Sequence, residues 1–131
     1  MPETTPTPRR YSFLGPAGTF TEAALRQVPE AQGQEWAPVA NIGEALNDVI
    51  TGASDAAMIA IENSVDGGVT VAQDALATIP GLQIIGEYLV PVRFVLVAKR
   101  GMRLENIGVV AGHPVAYGQC RRWLDDQLPR H

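Results

Sequence analysis

The chain has 131 residues, 46% of them hydrophobic, and a net charge of −4. That is about one domain's worth of polypeptide, with too much apolar content for a disordered chain. The acidic balance, without any long run of like charge, leaves no footprint for nucleic acid or an anionic membrane surface.

The elements are expected in this order. Residues 1–9, with Pro2, Pro6 and Pro8, form a disordered leader that lacks the apolar core of a signal peptide. Residues 11–14 form a short strand, followed by a glycine-bearing loop. A helix over 20–28 starts at Thr19 or Thr21 as N-cap and stops before Pro29. Residues 31–34 are a loop and 35–39 a short strand. Asn41 caps the next helix, 42–50, with Glu44 at its third position and Gly52 past its end. Ile42, Ala45, Leu46 and Val49 line its apolar face.

Residues 56–61 read as a strand covered on both faces. A polar turn comes next, with Ser64 or Asp66 as cap for a helix over 70–78. Its apolar stripe is Val71, Ala72, Ala75, Leu76 and Ile79, and Pro80-Gly81 ends it. Strands are expected at 82–88, 90–98 and 107–111. Gly112-His113-Pro114 opens a last helix, 115–128, with Val115, Cys120, Trp123, Leu124 and Leu128 facing inward. No apolar run is long enough to span a bilayer; 90–98 comes nearest and is strand length. The alternation of strand and helix predicts an α/β fold with right-handed crossovers. A second sheet begun near Tyr88 would have only two or three strands and an exposed edge. The chain is therefore expected to be the front of a larger protein or to pair with another chain.

Two loops carry candidate chemistry. Gly15-Pro16-Ala17-Gly18-Thr19-Phe20-Thr21 has neither the lysine of a P-loop nor the dinucleotide-binding spacing. It is either a capped strand-to-helix turn or a loop whose N–H groups and Thr19 and Thr21 hydroxyls face a carboxylate ligand. Glu62-Asn63-Ser64 ends an apolar strand, where polar groups need partners. These residues either close the turn or present Asn63, both donor and acceptor, to a ligand with carboxylate and hydroxyl groups. His113 either caps its helix or transfers protons. His113 and Cys120, seven apart, make a poor zinc pair. Cys120, the single cysteine, excludes an internal disulfide, fits a reducing cytoplasm and reads as a small buried side chain. Trp36 and Trp123 read as packing residues.

Taken together, several segments resemble prephenate dehydratase in order and spacing. They are Phe13-Leu14-Gly15-Pro16-Ala17-Gly18-Thr19-Phe20-Thr21-Glu22-Ala23-Ala24, Ile61-Glu62-Asn63-Ser64-Val65-Asp66-Gly67-Gly68-Val69, Gly86-Glu87 with Val90-Pro91-Val92, and His113-Pro114 followed by Gln119-Cys120. The resemblance implies a cytoplasmic lyase of phenylalanine biosynthesis that converts prephenate to phenylpyruvate with loss of carbon dioxide and water. It implies a type II periplasmic-binding-protein-like fold of two α/β lobes. Residues 10–86 would be the first lobe and 87–131 an incomplete beginning of the second.

By the same resemblance, Asn63 and Gln119 are catalytic positions that hold or orient substrate. Thr19, Thr21, Glu62, Ser64, Gly67 and His113 line the substrate cleft. No cofactor or metal is implied, and the partner is the small molecule prephenate. A homo-oligomer is implied, or completion by an absent C-terminal part. The family's Thr-Arg-Phe segment, whose threonine is the favoured acid for the departing hydroxyl, is absent, as is the phenylalanine-binding regulatory domain. The only Arg-Phe pair, Arg93-Phe94, stands after Val92. The isolated chain is therefore expected to have little turnover. The rival reading is a non-catalytic module of the same lobe architecture that binds a small carboxylate.

Overall fold

The computed structural model describes residues 9–131; the leader expected over 1–9 lies outside them except for Arg9. Arg9 is tied down, since its N–H donates to Gln34 Oε1 at 2.7 Å and its carbonyl accepts from Glu35 N–H at 3.1 Å. The chain divides into two compact units, one running to Pro91 and the other Val92–His131.

The first unit is built on a parallel sheet of order β2-β1-β3, with β1 at Arg10–Leu14, β2 at Glu35–Val39 and β3 at Ala56–Met58. The crossovers are α1 (Phe20–Leu25) and α2 (Ile42–Thr51). The central strand alternates. Tyr11 and Phe13 pack with Leu25, Val28 and Ala31 on one face, while the Ser12 hydroxyl points to Asp48 of α2 on the other. The two helices thus cover opposite faces, as a doubly wound sheet requires. Ser12 is fully buried. Its Oγ bonds Asp48 Oδ2 at 2.6 Å and Ser54 Oγ at 2.7 Å, so a polar group at the centre of the sheet is satisfied by the helix and the turn packed against it.

Local signals explain the helix limits. Asn41 Oδ1 accepts from Glu44 N–H at 2.8 Å, and Glu44 Oε2 accepts from Ala40 N–H at 2.9 Å, a two-way N-terminal closure. Gly52 ends α2 with φ +79°, the left-handed backbone that glycine adopts freely. Ala45 and Leu46 are buried and Ile42 and Val49 half-buried, as the periodicity predicts. Helix α1 is shorter than expected. It tightens after Leu25, with Val28 N–H reaching only to the Leu25 carbonyl, and runs into a 3-10 turn at Pro29–Ala31, where a loop was expected at 31. Trp36 packs on this turn, donating to the Ala31 carbonyl at 2.8 Å.

The apolar run at 56–61 is also shorter as a strand. Only Ala56–Met58 joins the sheet, half-buried rather than covered on both faces. Beyond it the chain forms a small antiparallel hairpin, β4 (Glu62–Asn63) with β5 (Gly67–Gly68), in place of a plain polar turn. Helix α3 (Thr70–Thr78) starts at Val69 with no side-chain cap, so neither Ser64 nor Asp66 has that role. Of its expected stripe Ala72 is buried, Ala75, Leu76 and Ile79 are half-buried, and Val71 faces solvent.

The strands expected at 82–88, 90–98 and 107–111 are not found: none of these residues pairs in a ladder. Ile85, Leu89, Val97 and Val109 are each more than four-fifths exposed. A strand is completed by backbone partners, and those partners are not among the described residues. The second unit carries a 3-10 turn at Leu104–Asn106 and helix α4 (Pro114–Gln127), which has proline at its first position. On α4, Leu124 is buried, as is Leu128 just past its end; Cys120 is half-buried, and Val115 and Trp123 are exposed, so the inward face is narrower than expected. No helix among the described residues is long and apolar enough to cross a membrane.

Candidate functional site

In the order β2-β1-β3, the chain leaves β1 toward one side and returns to pair on the other. Strand order therefore reverses at β1, between β1 and β3. Ligands of open α/β sheets sit outside the carboxyl ends of the strands at such a point. Because the pairing is parallel, with Phe13 beside Met58, both strands end at the same edge. The loop 15–19 and the segment leading to the Glu62–Gly68 hairpin leave from that edge. The two loops singled out by composition thus emerge from neighbouring strand ends.

The first loop is held by its own residues. Gly15 N–H donates to the Val39 carbonyl at 2.9 Å, fixing it over β2. The Thr19 hydroxyl donates to the Leu14 carbonyl at 3.1 Å, the Thr21 hydroxyl donates to the same oxygen, and the two hydroxyls lie 3.2 Å apart. The donors that composition offered to a ligand therefore close the end of β1. Thr19 occupies the N-cap position without a side-chain cap bond. The Gly18 N–H is taken by the Glu22 carboxylate, which also pairs with Arg26 at 2.9 Å.

The Gly18 N–H holds Glu22 below its ordinary value of 4.5; partial burial opposes this, and the Arg26 guanidinium adds to it. A carboxylate lowered in the folded state contributes stability above its unfolded value, and that contribution disappears as pH falls through the folded one. Acid titration of the unfolding midpoint should therefore show a flatter acid limb for Glu22→Gln than for the unaltered chain. Parallel limbs would remove Glu22 as the loop's anchor. Sequence reasoning missed this residue, although Thr19-Phe20-Thr21-Glu22 carries the capping-box spacing that identified Glu44.

The second loop is an Asx turn. Asn63 Oδ1 accepts from Val65 N–H at 3.1 Å and Asp66 N–H at 2.7 Å. Gly67 sits at φ +82° and completes the reversal. Among the described residues, Asn63 Nδ2 has no protein partner, and Glu62 and Ser64 are exposed. The turn thus occupies the acceptor of Asn63 and leaves its donor.

His113 and Gln119 belong to the second unit. His113 is the N-cap of α4, with Nδ1 accepting from Val115 N–H at 3.2 Å, which is the capping role. Gln119 lies on α4, half-buried, its amide without a protein partner among the described residues. The structure therefore brings the predicted residues into three local groups: Thr19 with Thr21, Glu62 to Gly67 on one hairpin, and His113 with Gln119 on one helix.

A family model described as Prephenate dehydratase matches residues 11–131. The chain belongs to the prephenate dehydratase family. Among curated relatives, the prephenate dehydratase of Mycobacterium ulcerans is 38% identical over 128 residues, and that of Amycolatopsis methanolica 41% over 120; each alignment covers 92% of this chain. The chain spans about two-fifths of the length of these dehydratases, 41% and 38%. A crystal structure of prephenate dehydratase from Arthrobacter aurescens in complex with L-Phe is 53% identical, with a TM-score of 0.74 over 92% of this chain and 40% of that one. The α/β fold with its parallel sheet is thus the dehydratase fold of a solved relative.

Proposed function

We propose that this chain is the N-terminal catalytic part of a prephenate dehydratase, a cytoplasmic lyase of phenylalanine biosynthesis. On this reading residues 10–86 are the first lobe of a type II periplasmic-binding-protein-like region and 87–131 the beginning of the second. The observation that carries it is the shared strand edge: both family loops leave the carboxyl ends of β1 and β3 where strand order reverses. The exposed apolar side chains at 84–97, which join no ladder among the described residues, fit completion by polypeptide corresponding to the rest of the relatives' length.

The reaction suits these residues. Prephenate carries two carboxylates and a ring hydroxyl, and losing carbon dioxide and the hydroxyl restores aromaticity. An enzyme has to hold the ring, orient the carboxylates and protonate the departing oxygen, so positioning and preorganised dipoles supply most of the rate. Asn63 and Gln119 are the orienting amides, each retaining an N–H donor. Thr19 and Thr21 shape the first loop, and Glu62, Ser64, Gly67 and His113 line the cleft. No organic cofactor or metal takes part in this scheme.

Two measurements test the reading. The product of the full reading frame should form phenylpyruvate from prephenate, and the 131 residues alone should form little or none. In the full-length protein, Asn63→Asp should keep the Asx turn, because a carboxylate accepts the same two N–H groups, while replacing the donor by an acceptor. Loss of one hydrogen bond to a charged group corresponds to about 1.5–3 kcal/mol, or roughly 10- to 150-fold in kcat/KM, with the unfolding midpoint unchanged. Unaltered kinetics in Asn63→Asp would take Asn63 out of the cleft.

A further inference from the structure

The net charge of −4 conceals a division between the two units. Residues 1–91 hold eleven Asp and Glu against three Arg, a balance of −8. Residues 92–131 hold seven Lys and Arg against three Asp and Glu, a balance of +4. Pairing sharpens the contrast. In the first unit Arg10 is bonded to Glu35 and Arg26 to Glu22. In the second, among the described residues, only Arg103 has an ion-pair partner, Glu105. Arg93, Lys99, Arg100, Arg121, Arg122 and Arg130 are exposed and form no ion pair among the described residues.

We propose that the second unit supplies a positive potential that draws a dicarboxylate substrate toward Gln119, acting through Arg122 one turn away on α4. On α4, residues three apart share a face, so Arg122 stands one turn beyond Gln119 on the Gln119 side. Asp125 and Asp126 lie a further turn along, away from the helix start at His113. Neither comes within ion-pair distance of Arg121 or Arg122, although the i,i+4 spacing allows it. A potential of this kind acts over about a Debye length, roughly 10 Å at 0.1 M salt, so the charges carried by α4 itself weigh most at Gln119. The inference deepens the dehydratase reading, which supplies the dianionic substrate, and it explains how an acidic chain recruits an acidic molecule.

Cys120, the single cysteine, is half-buried and lies between Gln119 and Arg121, which makes it a reporter of this potential. Its rate of reaction with dithiobis-nitrobenzoate, a disulfide bearing two carboxylates, is divided by its rate with uncharged dithiodipyridine. The quotient cancels the accessibility and ionisation of the thiol. If the second unit governs, the quotient falls by about threefold or more as salt rises from roughly 10 to 300 mM, and Arg122→Ala lowers its low-salt value. A quotient that is flat or rises with salt means that the field obeys the whole-chain charge, and overturns the proposal. An unchanged quotient in Arg122→Ala overturns the role of Arg122. Association of two copies at low salt that dissolves at high salt would reassign the basic unit to an acidic polypeptide partner, and would also overturn it. Protection of Cys120 by prephenate is scored separately. Failure of protection with a salt-sensitive quotient counts against the dehydratase reading and leaves the electrostatic result standing.

Discussion

Phe13→Ala should cost about 3–5 kcal/mol of unfolding free energy. Phe13 is 2% exposed, at the centre of the middle strand, with Pro38 beside it on β2 and Met58 on β3. It packs with Tyr11, Leu25, Val28 and Ala31, and no other fully buried side chain among the described residues is larger. Truncation removes its transfer energy and leaves a cavity that the three-stranded sheet cannot close, because β1 is held on both sides by ladder bonds. Small domains have only about 5–15 kcal/mol in total, so the variant should lie close to unfolding. Urea denaturation would show the midpoint falling with little change in slope. Phe13→Leu, which keeps most of the volume, should cost far less. A loss under about 0.5 kcal/mol in Phe13→Ala, the range of ordinary surface changes, would be incompatible with this core.

Gly15→Val should destabilise by about 3 kcal/mol, the upper end of the usual overpacking range. A Cβ at Gly15 would lie 2.8 Å from Pro38 Cβ and 3.4 Å from the Val39 carbonyl oxygen. Neither neighbour yields easily: the proline ring is rigid, and the Val39 carbonyl accepts the Gly15 N–H at 2.9 Å. The loop would have to lift from β2, which would also displace Thr19 and Thr21 from the Leu14 carbonyl. Gly18→Ala is the contrasting case. Nothing lies within 4 Å of its Cβ position, and only the left-handed backbone at φ +86° opposes it, about 1–2 kcal/mol. Thermal unfolding of the two variants separates crowding from backbone strain. Equal losses would mean that the loop does not rest on Pro38.

The exposed apolar run bears on how such a chain behaves in solution. Ile84, Ile85, Leu89, Val95 and Val97 are exposed in one stretch that joins no sheet ladder among the described residues, the arrangement in which strands recruit foreign edges. Lys99 and Arg100 directly after it are the kind of flanking charge that limits such association.

The features legible in the sequence were local ones. Asn41, Glu44 and Gly52 delimit α2 because a cap is a contact between residues three or four apart. Pro114 and His113 start α4 for the same reason, and β1 and β2 were placed by short apolar runs between breakers. The family was legible because its loops are contiguous motifs. The rest depended on contacts between residues far apart in the chain. Only the fold puts β1 between β2 and β3, and so brings two loops some forty residues apart in sequence to one edge. Only the fold shows Ser12 bonded to Asp48 and Ser54, and the Thr19 and Thr21 hydroxyls turned to the Leu14 carbonyl instead of outward. The expected strands at 82–98 and 107–111 differ from the structure for the same physical reason. Hydrophobicity and β-branching mark a segment that can pair, but a strand exists only where another backbone supplies the other half of its hydrogen bonds.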